Sequence, residues 1–195
     1  MPSNKLSYYT AYAGTVFMAI LLLAACSVNV DKGANGKDKK VDINTFAGGI
    51  HVSHDADPSE TGLPLYPGAQ LRVDESSDDK GANVNISGFG YGLKVVALDY
   101  QSDEPPSKIL AFYKDQLKKY GNVLECHTSK ENWNISIGNK TNSNELTCSG
   151  TTSGSETELK AGKQDNQHIV SVQSQGNGSR FTLVYVRAHG KDTDI

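Results

Sequence analysis

Apolar and polar positions follow three different rhythms along this chain, and each predicts a different element. Residues 16–25 (VFMAILLLAA) form an unbroken apolar run. Val41 and Ile43 alternate with polar neighbours, as do Ile50 and Val52, and Gly48-Gly49 separates the pairs; this predicts a small hairpin. Period-two alternation predicts further strands at 70–74, 83–87, 93–100, 122–128, 146–149, 168–173 and 181–188. Gly176-Asn177-Gly178-Ser179 supplies a hairpin loop between the last two. The helical period appears once. Ile109, Leu110, Phe112, Tyr113, Leu117 and Tyr120 form one stripe, with Lys108, Lys114, Asp115, Lys118 and Lys119 opposite. Pro105-Pro106 favours a helix start and Gly121 a stop, which predicts a helix over about 104–120.

A single helix cannot supply the crossovers that a parallel sheet needs. The expected architecture is therefore α+β: a mostly antiparallel sheet with one main amphipathic helix packed on one face. The expected division is a leader at 1–25, a flexible tether at 26–40 and a small hairpin with linker at 41–60. A single α+β domain at 61–190 and a polar tail at 191–195 follow. Residues 141–158, rich in Ser and Thr, read as an exposed loop.

Length and charge narrow the classes further. The chain has 195 residues, 21% of them charged and 37% hydrophobic, with a formal charge of -3. That is one domain's worth of chain, with too little apolar length for a multi-pass membrane protein. No basic surplus exists to attract phosphate backbones, so nucleic acid is not an expected partner.

Lys5 is the only charged side chain before Asp31, and the ten-residue apolar run is too short to span a bilayer of ~30 Å. A positive start, a short apolar run and small residues at its end read as a secretory signal. Leu23-Ala24-Ala25-Cys26 resembles the lipobox of bacterial lipoproteins. That resemblance implies lipidation of the Cys26 thiol and cleavage before it, with palmitate-type acyl chains as the anchor. Ser27 rather than Asp at the next position is similar to the pattern sorted to an outer membrane. Cleavage removes Lys5 and leaves 18 Lys and Arg against 22 Asp and Glu, so the lipid rather than charge must hold the protein to an anionic membrane.

Cys126 and Cys148 remain as an even pair in a chain sent out of the cytoplasm, which reads as a disulfide. The competing reading is a Cys126–His127 nucleophile, which neighbours pointing to opposite faces of a strand disfavour.

Residues 64–69 (PLYPGA) and the helix pattern Phe112-Tyr113-x-x-x-Leu117-x-x-Tyr120-Gly121 resemble an uncharacterised group of secreted or lipid-anchored bacterial proteins. Val41-Asp42-Ile43 and residues 48–52 are similar to the strand pair that precedes that turn in the group. The resemblance implies a fold and carries no activity.

Chemistry candidates are few. Gly88-Phe89-Gly90-Tyr91-Gly92 looks like a phosphate loop, but a strand follows where a helix is needed. Phe89 and Tyr91 are instead a candidate contact patch, because exposed aromatics are overused at interfaces. His51, His54, Asp55 and Asp57 offer two imidazoles and two carboxylates, a thin candidate for a metal without HExxH spacing. His168 and His189 read as surface imidazoles, and Asp99, Asp103 and Glu104 as turn and capping groups. No GxSxG is present, and no cofactor is expected. The expected function is a lipid-anchored cell-envelope protein, a non-enzymatic binding or structural module facing the periplasm or the surface. Its expected partners are the membrane through Cys26 and another envelope protein or polymer. A small apolar-ligand carrier is the alternative, and a hydrolase or metal-dependent enzyme a more distant one.

Overall fold

The computed structural model describes residues 26–32, 38–73, 81–128, 144–148 and 155–190. The apolar run 16–25 and the tail 191–195 lie outside the described residues. Strands β1 (Ser27–Lys32), β2 (Asp38–Thr45), β3 (Gly48–Ser53), β4 (Gln70–Leu71), β5 (Ala82–Gly88) and β6 (Tyr91–Ser102) come first. Helix α1 (Pro106–Leu117) follows, then β7 (Leu124–Thr128), β8 (Glu156–Lys163), β9 (Asn166–Gln175) and β10 (Gly178–His189). All strand pairings among the described residues are antiparallel, in the order β1-β2-β3-β5-β6-β10-β9-β8-β7, with β4 beside β6. Two meanders meet at one seam, where β6 and β10 pair from Gly92↔His189 to Ser102↔Ser179.

Several boundaries differ from those read off the sequence. Residues 27–32, expected within a tether, form β1, because Val28 and Val30 lie opposite Ile43 and Val41. The β2–β3 hairpin does not stand alone: β3 pairs with β5 along its whole length, which removes the marginal stability of a lone ribbon. Part of the Ser- and Thr-rich loop, from Glu156, is β8, and it pairs on both sides. Residues 146–149 were expected as a strand; of these, 146–148 have no regular structure. They are tied instead by the Cys126–Cys148 disulfide, and Gln164 Nε2 donates to Glu145 O at 3.0 Å. The bridge spans 22 residues and restricts the unfolded chain by about 3 kcal/mol in the loop-entropy account. The helix starts at Pro106, since an N-terminal Pro loses no hydrogen bond there, and ends in one 3-10 turn, Lys118–Tyr120, before Gly121 at φ 126°.

Alternation gives the sheet two faces. On the inner face Leu98, Tyr100, Leu159, Val170, Phe181 and Leu183 are buried in one cluster with Ile109, Tyr113 and Leu117 of α1. The Tyr113 ring centroid lies 5.6 Å from that of Phe181. On the outer face Ile169, Val184 and Val186 form a second buried cluster, with Leu93, Val95 and Ala97 against it.

His168 corrects one expectation: it is buried, at 6% exposure, not a surface imidazole. The inner face of β9, between Asn166 and Val170, carries it under Tyr120, ring centroids 3.5 Å apart. Nδ1–H donates to Thr61 O at 2.9 Å. Burial pushes its pKa below the ordinary 6.5, more than the Thr61 carbonyl raises it. A depressed folded value means the contribution to stability is present above pH 6.5 and is lost as pH falls through the folded value. Stability should therefore drop as pH falls from 7 through the His168 folded value, with His168→Gln losing most of that slope. Urea unfolding at pH values across that range checks this, and an unchanged slope in the variant would refute it.

Candidate functional site

The register of the first meander sorts its side chains into rows. Val30, Val41, Val52, Val84, Val95 and Val186 are successive cross-strand partners, a row of six valines on the outer face. The parallel row nearer the hairpin ends runs Val28, Ile43, Ile50, Ile86, Leu93 and Ala188. Between them, on the other face, lie Asn29, Asp42, His51, Asn85, Lys94 and Arg187. One face of this half is thus polar and the other apolar, a pattern that normally has the apolar side covered.

A cleft of about 940 Å³ opens over the second apolar row. Ile43, Ile50, Ile86 and Leu93 form its floor, and Phe89 and Tyr91 stand on its rim. Asn144, Gln164 and Asp165 make the far wall. Its described lining contains no Lys or Arg, and Asp165 is its one acid, with an Oδ1 that is buried and has no hydrogen-bond partner.

The rim is built by two hairpin turns placed side by side. The β2–β3 turn carries Phe46 at its tip, 79% exposed, with Thr45 Oγ1 donating to Gly48 O at 2.8 Å. The β5–β6 turn carries Phe89, 77% exposed, whose N–H donates to Ala47 O at 3.2 Å and so ties the two tips together. Gly48 permits this approach, since a Cβ there would strike the Ser87 carbonyl. Tyr91 is accommodated by Gly190, where a Cβ would lie 2.8 Å from the ring.

Phe89 occupies left-handed backbone, φ 53°, followed by Gly90 at φ 85°. Such two-residue turns favour Asn-Gly, because a bulky L-residue there is strained by roughly 1–2 kcal/mol. Strain held in place at an exposed ring points to a use for the ring rather than to stability. Phe89→Asn should accordingly raise the unfolding free energy by about 1 kcal/mol, read from the urea midpoint. A loss of stability would mean that the phenyl ring is part of the packing.

The metal candidates are not gathered. His51 Nδ1 pairs with Asp42 across β2–β3 on the polar face. Asp57 caps the 3-10 turn Pro58–Thr61, accepting from Ser59 N and Ser59 Oγ at 2.8 Å each, and those bonds hold its carboxyl below the usual range. His54 borders a separate polar cavity of about 780 Å³ beside Arg72, Asp99 and Arg180, and Asp55 is exposed. Among the described residues no group of three His, Cys, Asp or Glu side chains could hold a metal ion. Cys26 is exposed and immediately precedes β1, and no described helix is long and apolar enough to cross a membrane.

Sequence reasoning picked out Phe89 and Tyr91 but missed Phe46 and the floor of the cleft. Phe46 carried a usable signal, an aromatic residue in a turn between two alternating runs. Comparison of the chain with protein families, with curated proteins and with solved structures found no match.

Proposed function

We propose that this chain is a cell-envelope protein anchored by lipid on Cys26, most naturally at an outer membrane, and that it acts as a non-enzymatic binding module. The observation that carries the binding reading is the apolar cleft with Phe89 and Tyr91 on its rim. Apolar floors with aromatic rims bind by removing area from water, at ~25 cal/mol per Å². Strain at Phe89 supports the same reading, because the fold keeps a costly ring where Asn would be easier. In this reading α1 lies across the inner face of β8, β9 and β10, leaving the outer face of the first meander for recognition.

The anchor rests on Leu23-Ala24-Ala25-Cys26 behind its apolar run. Its test is the intact mass of the detergent-extracted protein, which should begin at Cys26 and carry acyl mass. The binding reading is tested by a photo-crosslinking side chain placed at Tyr91, which is 61% exposed and unstrained. A crosslink to lipid or to an envelope component supports it, and an uncrosslinked chain in whole envelopes refutes it. The cleft's volume favours one second reading, a carrier of a small apolar ligand, which organic extraction of the purified protein would reveal as a released lipid.

A further inference from the structure

We infer that the bilayer leaflet holding the acyl chains of Cys26 also covers the cleft rim, so that the sheet stands on the membrane by the end carrying Phe46 and Phe89. This rests on acylation of Cys26 as proposed above, and it names the partner of the same surface.

Register fixes where the anchor lies. Ser27 pairs with Asn44, so Cys26 is level with Thr45, one residue short of the β2–β3 turn. The hydrogen bond from Phe89 N–H to Ala47 O brings the β5–β6 turn to the same end. At about 3.4 Å of rise per residue, both tips lie within roughly 3–7 Å of the level of Cys26 along the strands. A glyceryl-linked Cys sits among lipid headgroups, so the tips are carried to that depth without any tether between anchor and sheet. The first strand starts at Ser27, immediately after the lipidated residue.

The chemistry of this end suits that position. Phe46, Phe89, Val28 and Tyr91 are the most exposed large apolar residues described, at 79%, 77%, 63% and 61%. All four lie at this end of the sheet. In a chain that is 21% charged, neither 43–50 nor 86–93 contains a single Asp, Glu, Lys or Arg. Hairpin tips in water are normally polar; here no charge has to be desolvated when the tips enter the interface. Aromatic rings are suited to headgroup depth, and apolar groups at an interface sink about 5–10 Å. Asp165 is the one charged side chain on the described cleft lining; it belongs to neither tip, and its backbone carbonyl accepts from Ala188 N–H on β10 at 2.8 Å. Anchoring through Cys26 keeps the tips at high local concentration beside the leaflet, so weak individual contacts suffice.

The test uses the full acylated chain in vesicles of phosphatidylethanolamine and phosphatidylglycerol with brominated acyl chains. The single native Trp, Trp133, is replaced by Phe, and indole reporters are introduced one at a time by Phe46→Trp, Phe89→Trp and Leu65→Trp. Leu65 is 44% exposed and lies in the turn before β4, which pairs with Tyr100 and Gln101 at the end of β6 opposite Tyr91. Reporters at 46 and 89 should lose fluorescence at least about twofold on bromolipid, with the reporter at 65 unaffected. Intact mass of the same sample reads the anchor separately. Acylated protein with unquenched reporters at 46 and 89 overturns the membrane contact and leaves the anchor standing. Equal quenching at all three positions overturns the orientation. Crosslinks between copies at positions 46 and 89 would assign the end to a second copy instead, and a chain without acyl mass overturns both readings.

Discussion

Lys160→Ala is expected to lower the unfolding free energy by about 3–5 kcal/mol at pH 7. Lys160 and Glu158 stand two residues apart on the outer face of β8, each only 4% exposed, with Nζ 3.3 Å from the carboxylate. Removing the lysine leaves a carboxylate in a site that has already excluded water. Burial raises the Glu158 pKa above its ordinary value of 4.5, against the pull of Lys160. A raised folded value means the contribution is fully present below the unfolded value and is lost as pH rises through the folded one. Without Lys160 the folded value climbs further, so the penalty should grow with pH. Below pH 4.5 Glu158 is largely protonated in both states, and the loss should shrink to that of the lysine stem's packing. Urea unfolding at pH 4 and pH 7 reads the difference; an equal loss at both would refute the buried-charge account. The double variant Glu158→Leu/Lys160→Met should regain wild-type stability or exceed it, because neither charge then needs desolvating.

Phe181→Ala should cost about as much, roughly 3–5 kcal/mol, but without pH dependence. Phe181 is 1% exposed and stacks on Tyr100 of β6 at 5.5 Å between centroids. It also meets Tyr113 of α1 at 5.6 Å, so one ring joins the central seam to the helix. Truncation leaves a cavity walled by Tyr100 and Tyr113, and the second of these is held by a bond of its own. Tyr113 Oη accepts from Tyr66 N–H at 3.1 Å and cannot simply swing inward. Phe46→Ala is the contrast, since its ring is 79% exposed and its loss should stay within about 0.5 kcal/mol. Denaturation midpoints of the two variants check both; similar losses would mean that the Phe46 end is packed rather than presented.

These two sites also mark where the sequence was legible. Phe181 belongs to a run of alternating apolar residues after a Gly-Asn-Gly turn, and β9, β10, β5, β6 and α1 were all readable from such periods. β8 was not, because both of its faces are buried and one carries Glu158 and Lys160. Charge at alternate positions usually marks solvent, and here it marks an ion pair inside. β1 was missed for a related reason. SVNVDK alternates, but its six residues are all exposed and only their partners in β2 make them a strand. The rim of the cleft was visible as aromatics in a glycine turn. Its floor was not, since Ile43, Ile50, Ile86 and Leu93 come from four strands that only hydrogen-bonded register brings into line.

The position of β10 has a consequence for how the chain can be made. The last described strand is also the middle of the sheet, with β6 on one side and β9 on the other. A growing chain can build either meander early, yet each then ends in a bare edge whose rightful neighbour is β10. Ribosomal synthesis, or passage through a translocation pore from the N-terminus, therefore cannot complete the sheet until residue 189 has emerged. That delays closure of the sheet to the end. Any product truncated before residue 178 has β6 and β9 as open edges besides the outer ones at β1 and β7, and is primed for aggregation.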